Sequence, residues 1–397
     1  NNFYSIPTSK IAYEFTRKVY TLLELDIENI ESEHTSYDLI SENDLIENET
    51  IKINNNNMKF NAIVGNPPYQ KSISTNKDNS ALSKQIFPYF IRLCIELNPQ
   101  HLSLITPSRW FTGDAQDKSF LKLREFIQDH NSIKEIHNYN DASKVFNGVE
   151  IKGGVNHFLY QRGFSGEMTF YNYKDNVVTQ NRRPLFIDGF NVVLSNDIYI
   201  KTIKKITSID FKSLTEITTG RNAFGIIGKP SFLEQVSVTE YSQNLSTLIC
   251  KNGITRYIDS DIVQKNRDIF ENYKVFISKS AGAPRSDKNI IGKAFLGGPL
   301  VACTDTYFPV GSFKDEIQAQ NLKKYFHTKF LRYLVSILKS SQNVTQIVYK
   351  FVPLQDFTSK SDIHWTKSIE DIDKQLYKKY KLSKEEIEFI EKIIKPM

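Results

Sequence analysis

The residues best suited to chemistry in this chain are Asn66, Pro67, Pro68 and Tyr69, which end the apolar run Phe60-Asn61-Ala62-Ile63-Val64-Gly65. A short β-branched run broken by Gly-Asn-Pro-Pro predicts a buried strand that stops abruptly, because neither proline has an N–H to give to a ladder. In an open α/β sheet, ligands sit beyond the carboxyl ends of the strands. There the Asn66 amide oxygen and the Pro67 carbonyl can both accept from an exocyclic amine, while the Tyr69 ring offers a flat surface to a base. Acceptors so placed hold the amine with its lone pair aimed at an electrophile. The other reading of the same four residues is a plain strand-to-loop turn, for which Asn and Pro are ordinary choices.

The elements that must position this motif alternate in type. Residues 10–24 have helical spacing, and the segment 26–57 is polar and asparagine-rich. Beyond the motif the spacing predicts a helix over about 81–97, kinked or delayed by Pro88, then a strand at 102–105. A helix near 117–128, a strand at 133–137 and a pair of strands across 145–160 follow, and the alternation predicts a mostly parallel, doubly wound sheet. After Arg162-Gly163 the chain turns to short aromatic and β-rich segments, with a linker expected near 185–195. Residues 196–207 look helical, 214–313 are turn-rich, and a helix is expected over 315–338. Ser383, with Glu386 three residues later, forms a capping box that opens a last helix at Lys384.

A chain of 397 residues and 45.9 kDa has room for two domains with real cores. No apolar stretch approaches the ~20 residues needed to span a bilayer, and the N-terminus lacks a basic segment followed by an apolar one, so the chain reads as cytoplasmic. Cys94, Cys250 and Cys303 are far apart, form no C-x-x-C and sit among apolar residues, which predicts reduced core thiols and gives a zinc site no support. The net charge of +6 is unevenly spread. Residues 1–190 carry 20 basic and 23 acidic side chains, residues 191–360 carry 23 and 14, and residues 361–397 carry 8 and 8. The middle block is the one suited to a polyanion, although a lysine-rich solvated surface gives the same count.

Asn-Pro-Pro-Tyr after a hydrophobic strand resembles the catalytic motif of the N6-adenine-specific DNA methyltransferases of the gamma-type motif order. Two later stretches resemble the same family in the expected sequence. Ser103-Leu104-Ile105-Thr106-Pro107-Ser108-Arg109-Trp110 looks like the strand and turn after the helix that follows the catalytic motif. Val145-Phe146-Asn147-Gly148-Val149, with Gly154-Val155-Asn156-His157-Phe158-Leu159, looks like the motif whose phenylalanine packs on the second face of a flipped adenine. By that resemblance Phe146 is the second stacking residue; its other reading is a core phenylalanine in a strand. Further on, Lys274-Val275-Phe276-Ile277, Gly297-Gly298-Pro299, Cys303-Thr304-Asp305-Thr306-Tyr307 and the tail from Ile363-His364-Trp365 to Tyr380 resemble the C-terminal target-recognition region of type II restriction-modification enzymes.

The resemblance implies an α/β protein: a partial Rossmann-like methyltransferase sheet followed by a mixed α/β target-recognition domain. It implies an N-terminally incomplete methyltransferase catalytic domain over 1–172, a target-recognition DNA-binding domain over 185–360 and a helical C-terminal tail over 361–397. The implied reaction moves a methyl group from S-adenosylmethionine to the N6 amine of an adenine flipped out of double-stranded DNA. The sequence also departs from the family. Its cofactor loop is glycine-rich and precedes the catalytic motif, whereas residues 1–64 here contain no glycine. Tyr4-Ser5-Ile6-Pro7 stands where the family usually has a glycine and then an acidic residue for the ribose hydroxyls, and Asp44 is the best candidate for meeting the cofactor's adenine ring. Because the chain begins at Asn1, the expectation is a fragment or one part of a split enzyme. Its partner would be an upstream segment or subunit carrying the cofactor loop, with a nuclease on the same polypeptide in some members. The alternative is a non-catalytic DNA target-recognition module or subunit. Glu150-Ile151-Lys152, a superficial nuclease-like triplet, falls inside the stretch already matched to the stacking motif.

Overall fold

The computed structural model describes residues 2–397 except 42–44, 73–82, 114, 116, 150, 152, 175, 188, 282–289 and 340–343. Asp44, Glu150 and Lys152 therefore lie outside the described residues. The chain forms two compact units, Asn1–Asn196 and Asp197–Met397.

The first unit opens with helix α1 (Lys10–Leu22), started by Ser9, whose hydroxyl accepts from the Ala12 N–H. A small meander of β1 (Ile46–Glu47), β2 (Thr50–Ile53) and β3 (Asn56–Met58) follows, and its Ile51 and Ile53 pack on Leu97. Then come β4 (Ala62–Gly65), a short ribbon of β5 (Gln70–Ser72) and β6 (Ser83–Gln85), and α2 (Phe87–Glu96). Pro88 delays this helix and does not kink it: it sits in the first turn, where its missing N–H has no intrahelical partner to lose. The unit continues through β7 (His101–Pro107), α3 (Ser119–Asp129), β8 (Ile133–Tyr139), β9 (Val155–Gln161), β10 (Met168–Lys174) and β11 (Val177–Arg183).

These strands build one six-stranded sheet in the order β11-β10-β8-β9-β7-β4. The α/β class holds, but the sheet is mixed: β4 runs parallel to β7 and β8 parallel to β10, while β9 lies antiparallel between β7 and β8. The reason is the connection from β8 to β9, whose described residues hold one short 3-10 turn (Ala142–Lys144) and no crossover helix, and a parallel return needs a longer connection, usually helical. The expected pair of strands across 145–160 is for the same reason a turn and a single strand. Gly148, Gly153 and Gly154 take positive φ there, which ends extended structure.

One face of the sheet holds the core, with Leu102, Leu104, Ile136, Phe158 and Phe170 packed against Ile91 of α2 and Leu123 of α3. The expected linker at 185–195 instead joins this core: Leu185 and Val193 are buried in it, and the Val193 N–H donates to the Phe111 carbonyl. The strand carrying the motif is also not buried. It is the outer strand of the sheet, and Val64 is 83% exposed.

The second unit runs α4 (Asp197–Thr207), α5 (Pro230–Val236), β12 (Ser246–Ile249), β13 (Thr255–Ile258), α6 (Arg267–Glu271), β14 (Tyr273–Ser278), β15 (Phe295–Gly297), β16 (Val301–Cys303) and β17 (Tyr307–Phe313). Two three-stranded sheets result, β13-β12-β16 and β15-β14-β17. Helices α7 (Glu316–His327) and α8 (Lys329–Leu338) replace the single expected helix, because Thr328 ends the first and its hydroxyl caps the second at the Leu331 N–H. Helices α9 (Ile369–Lys379) and α10 (Lys384–Ile393) pack inside the same unit, and the Ser383–Glu386 capping box is present. Cys94, Cys250 and Cys303 are free and buried. Among the described residues no helix is long and apolar enough to cross a membrane, and no cluster of three or more metal-ligating side chains occurs.

Candidate functional site

Strand β4 delivers Asn66 to the carboxyl end of the sheet. Its ladder to β7 pairs Ala62 with His101 and Gly65 with Leu104, and the His101 N–H reaches the Asn61 carbonyl at 2.9 Å. Pairing stops at the two prolines. Asn66 is exposed and Pro67, Pro68 and Tyr69 are half-buried. The Tyr69 carbonyl accepts from Ile86 at 3.0 Å, and its ring lies edge-on to Phe87 with centroids 6.4 Å apart, so the motif is anchored to the start of α2. The Tyr69 hydroxyl is buried with no hydrogen-bond partner among the described residues, and burial pushes it up to about 12. A groove of about 250 Å³ runs beside the motif, lined by Tyr4, Ile6, Phe60, Val64, Asn66 and Leu97 among others.

Phe146 sits elsewhere on the same edge. It closes the short turn after β8, with its N–H on the Ala142 carbonyl at 2.9 Å, and is half-buried. Asp141 caps that turn through the Ser143 N–H at 3.0 Å, and the Ser143 hydrogen bonds hold its carboxyl below the usual range. Between β4 and β8 lie β7 and β9, so the two strand ends are about 14 Å apart at ordinary strand spacing. The loop spans part of this gap. Its return leg lies on the end of β7, where the Gly154 carbonyl accepts from Ser108 at 3.0 Å and Gly153 meets the Arg109 side chain. Gly154 is obligatory there: φ is +80° and an added Cβ would fall 2.1 Å from the Tyr139 carbonyl oxygen.

The predicted residues thus fall into two groups at one sheet edge, Asn66 to Tyr69 beyond β4 and Phe146 beyond β8. Asp44 lies outside the described residues. Ser5, in the segment compared with the ribose site, is engaged by Tyr20, hydroxyl to hydroxyl at 2.7 Å. What sequence reading missed is a band of amides behind the loop, the buried Asn138 and Asn156 and the half-buried Asn140 and Asn172. A signal was available: His137-Asn138-Tyr139-Asn140 and Tyr171-Asn172-Tyr173 place asparagines inside strands, which strands disfavour.

Residues 1–146 match the Eco57I restriction-modification methylase family. This segment carries an Eco57I restriction-modification methylase domain. Over 208 residues the chain is 30% identical to an uncharacterized adenine-specific methylase of Mycoplasma pneumoniae, covering 50% of this chain and 48% of that protein. The chain therefore spans about half the length of the curated relative it matches. Among solved structures, it resembles the DrdV–DNA complex at 11% identity and a TM-score of 0.43, covering 89% of this chain and 49% of that one. It also resembles the type IIL restriction-modification enzyme MmeI in complex with DNA at 10% identity and a TM-score of 0.41, covering 84% and 56%.

Proposed function

We propose that this chain is the base-binding and target-recognition part of an adenine-specific DNA methyltransferase of a restriction-modification system, acting in the cytoplasm on double-stranded DNA. The observation that carries the reading is Asn66-Pro67-Pro68-Tyr69, with Asn66 exposed at the carboxyl end of β4, inside the segment that matches the methylase family. The target adenine leaves the duplex at a cost of a few kcal/mol, and stacking on Tyr69 and Phe146, at roughly 1–3 kcal/mol per ring, offsets it. The Asn66 amide oxygen and the Pro67 carbonyl accept the N6 protons and fix the amine; this is positioning more than proton transfer. The second unit, with nine more basic than acidic side chains over 197–397, supplies the basic surface that meets the phosphates.

S-adenosylmethionine is the methyl donor in this reading. The residues present do not fit it: 1–64 lack any glycine, and Ser5 and Pro7 offer no carboxylate to a ribose. A further segment or subunit supplies that half of the site, and the chain alone should bind the cofactor weakly or not at all in a calorimetric titration. The same misfit favours one other reading, a non-catalytic recognition subunit.

The test is Asn66→Ala in the complete enzyme. Tritium transfer from labelled cofactor should fall about 10³-fold, some 4 kcal/mol of transition-state stabilisation, with DNA affinity by gel shift within a few-fold. Wild-type turnover in the variant removes Asn66 from the mechanism. Failure of any reconstituted enzyme to methylate favours the recognition subunit.

A further inference from the structure

Both ends of the loop that carries Phe146 are gripped by one chain of side-chain amides. The loop leaves β8 at Asn140 and returns to β9 just before Asn156. On the return side, the Asn156 amide nitrogen donates to the Thr106 carbonyl at 3.1 Å and to the Ser108 hydroxyl at 3.4 Å. Ser108 passes its own proton to the Asn138 amide oxygen at 2.7 Å. Asn138 in turn donates to Asn172 at 2.8 Å and to Asn140 at 3.3 Å, and Asn140 donates to the same Asn172 oxygen at 3.2 Å. Four strands contribute, β7 through its end, β8, β9 and β10, and Asn138 and Asn156 are 2% and 0% exposed. Every amide is oriented by its neighbours, because the Thr106 carbonyl can only accept and so fixes which way Asn156 faces.

We infer that this amide chain is a positioning device for the Phe146 loop, and hence for the second ring of the base clamp; the latter half rests on the function proposed above. None of its members touches the base. Their work is to hold the loop's two ends at a fixed separation, so that the ring is in place before DNA arrives and need not be ordered on binding. A hydrophobic patch would fill the same space, but only a directional network specifies one arrangement of four strand ends, and each of its buried members is costly to leave unpaired. The direction also makes the device testable by near-isosteric changes. Asn172 serves only as an acceptor to Asn138 and Asn140, so Asn172→Asp keeps the chain. Asn138 must donate, so Asn138→Asp sets an oxygen against two oxygens, and Asn138→Ala removes both donors.

The experiment is hydrogen exchange on the full chain, read at the amides of residues 145–149, with 2-aminopurine at the target adenine as a second signal. Asn138→Ala and the half-exposed Asn140→Ala should speed exchange in the loop at least 10-fold while the amides of β7 and β8 keep their protection, and Asn172→Asp should stay near wild type. Asn138→Asp, should it fold, should exceed Asn138→Ala. Unchanged loop exchange in both alanine variants overturns the inference. So does an even rise across the whole sheet, which describes core support and not positioning. On DNA, Asn138→Ala should cut the fluorescence change, and Phe146→Ala added to it should cut little more; additive losses would also refute the device. If Phe146→Ala alone leaves the fluorescence of the wild-type complex intact, the base-clamp reading fails while the loop exchange still decides whether the amides position the loop.

Discussion

The candidate-site region of the first unit and the core of the second differ in their buried polar groups. In the first, the buried polar groups behind the site are neutral amides and hydroxyls, and several stay short of partners: the Tyr69 hydroxyl, the Trp110 indole N–H and the Asn156 amide oxygen have none among the described residues. In the second, the buried charges Lys274, Asp373 and Glu386 are each hydrogen-bonded and join its elements. Lys274, fully buried, gives its ammonium protons to the carbonyls of Phe270, Asn272 and Gly298, tying α6, β14 and the turn after β15 together. Burial pushes it down to about 7, while three carbonyl acceptors favour the charged form that alone has three protons. Glu386 joins α10 to α4 through Thr202 and Lys205, and Asp373 accepts from the first two N–H groups of α8. The contrast is one of regions and not of whole units: in the first unit Arg124 is buried and donates to the Trp110, Gly113 and Asn191 carbonyls, and in the second the Tyr349 hydroxyl and the Asn222 amide oxygen lack a partner among the described residues.

The charge surplus gives the largest way to break this division. If the basic side chains of 197–397 meet DNA phosphates, affinity should fall about 10²–10³-fold between 50 and 200 mM salt, read by fluorescence anisotropy on the whole chain. A flat response would move recognition to the acidic first unit and undo the comparison.

The next effect is structural and local. Gly154→Ala puts a Cβ 2.1 Å from the Tyr139 carbonyl at a positive φ, a strain of about 2–4 kcal/mol that should lower the melting temperature of the first unit by on the order of 5–10 °C. The second unit, with its own core, should melt where it did before. A joint shift of both transitions would show that the two are one cooperative body.

Only part of this was legible in the sequence, and the reason is physical. Asn66 to Tyr69 could be read because the whole motif is contiguous and its strand-then-proline break is a local signal. That β9 runs antiparallel could not, since side-chain alternation is the same in either direction and only the length of the 140–154 connection distinguishes them. The exposure of Val64 was missed because periodicity tells which faces are apolar, not whether a strand has a neighbour on each side. The amide chain is spread from Thr106 to Asn172, and no local pattern joins residues that meet only when four strands align. Helix α10 was legible because its capping box spans four residues, Ser383 to Glu386.

A smaller effect tests the scaffold. Desolvation raises the Asp373 carboxyl from 3.8 to about 6, so the folded state holds its proton more tightly than the unfolded chain. The associated stability is fully present below about pH 3.8 and is lost as pH rises through about 6. Asp373→Asn should remove this slope, on the order of 2–3 kcal/mol across that window, when urea unfolding is compared with wild type at pH 4 and pH 6.5. Parallel slopes for the two proteins would mean that Asp373 is ionised freely and that the α8 N–H pair fully compensates its burial.

The smallest effect discriminates most finely at the site. A tyrosine hydroxyl that holds a buried hydrogen bond costs about 1 kcal/mol to remove, but the one on Tyr69 is buried with no partner among the described residues. Tyr69→Phe should therefore leave the melting temperature unchanged or raise it by about 2–4 °C. The ring and its edge contact with Phe87 remain, so a base that stacks on that ring should notice nothing, and methylation by the complete enzyme should stay within about two-fold. Tyr69→Ala, by contrast, removes the stacking surface and should cost about one to two powers of ten. A drop in turnover with Tyr69→Phe at unchanged stability would mean that the hydroxyl turns outward when DNA binds and takes part in holding the base, and the contrast between an unsatisfied site and a satisfied scaffold would then describe only the DNA-free protein.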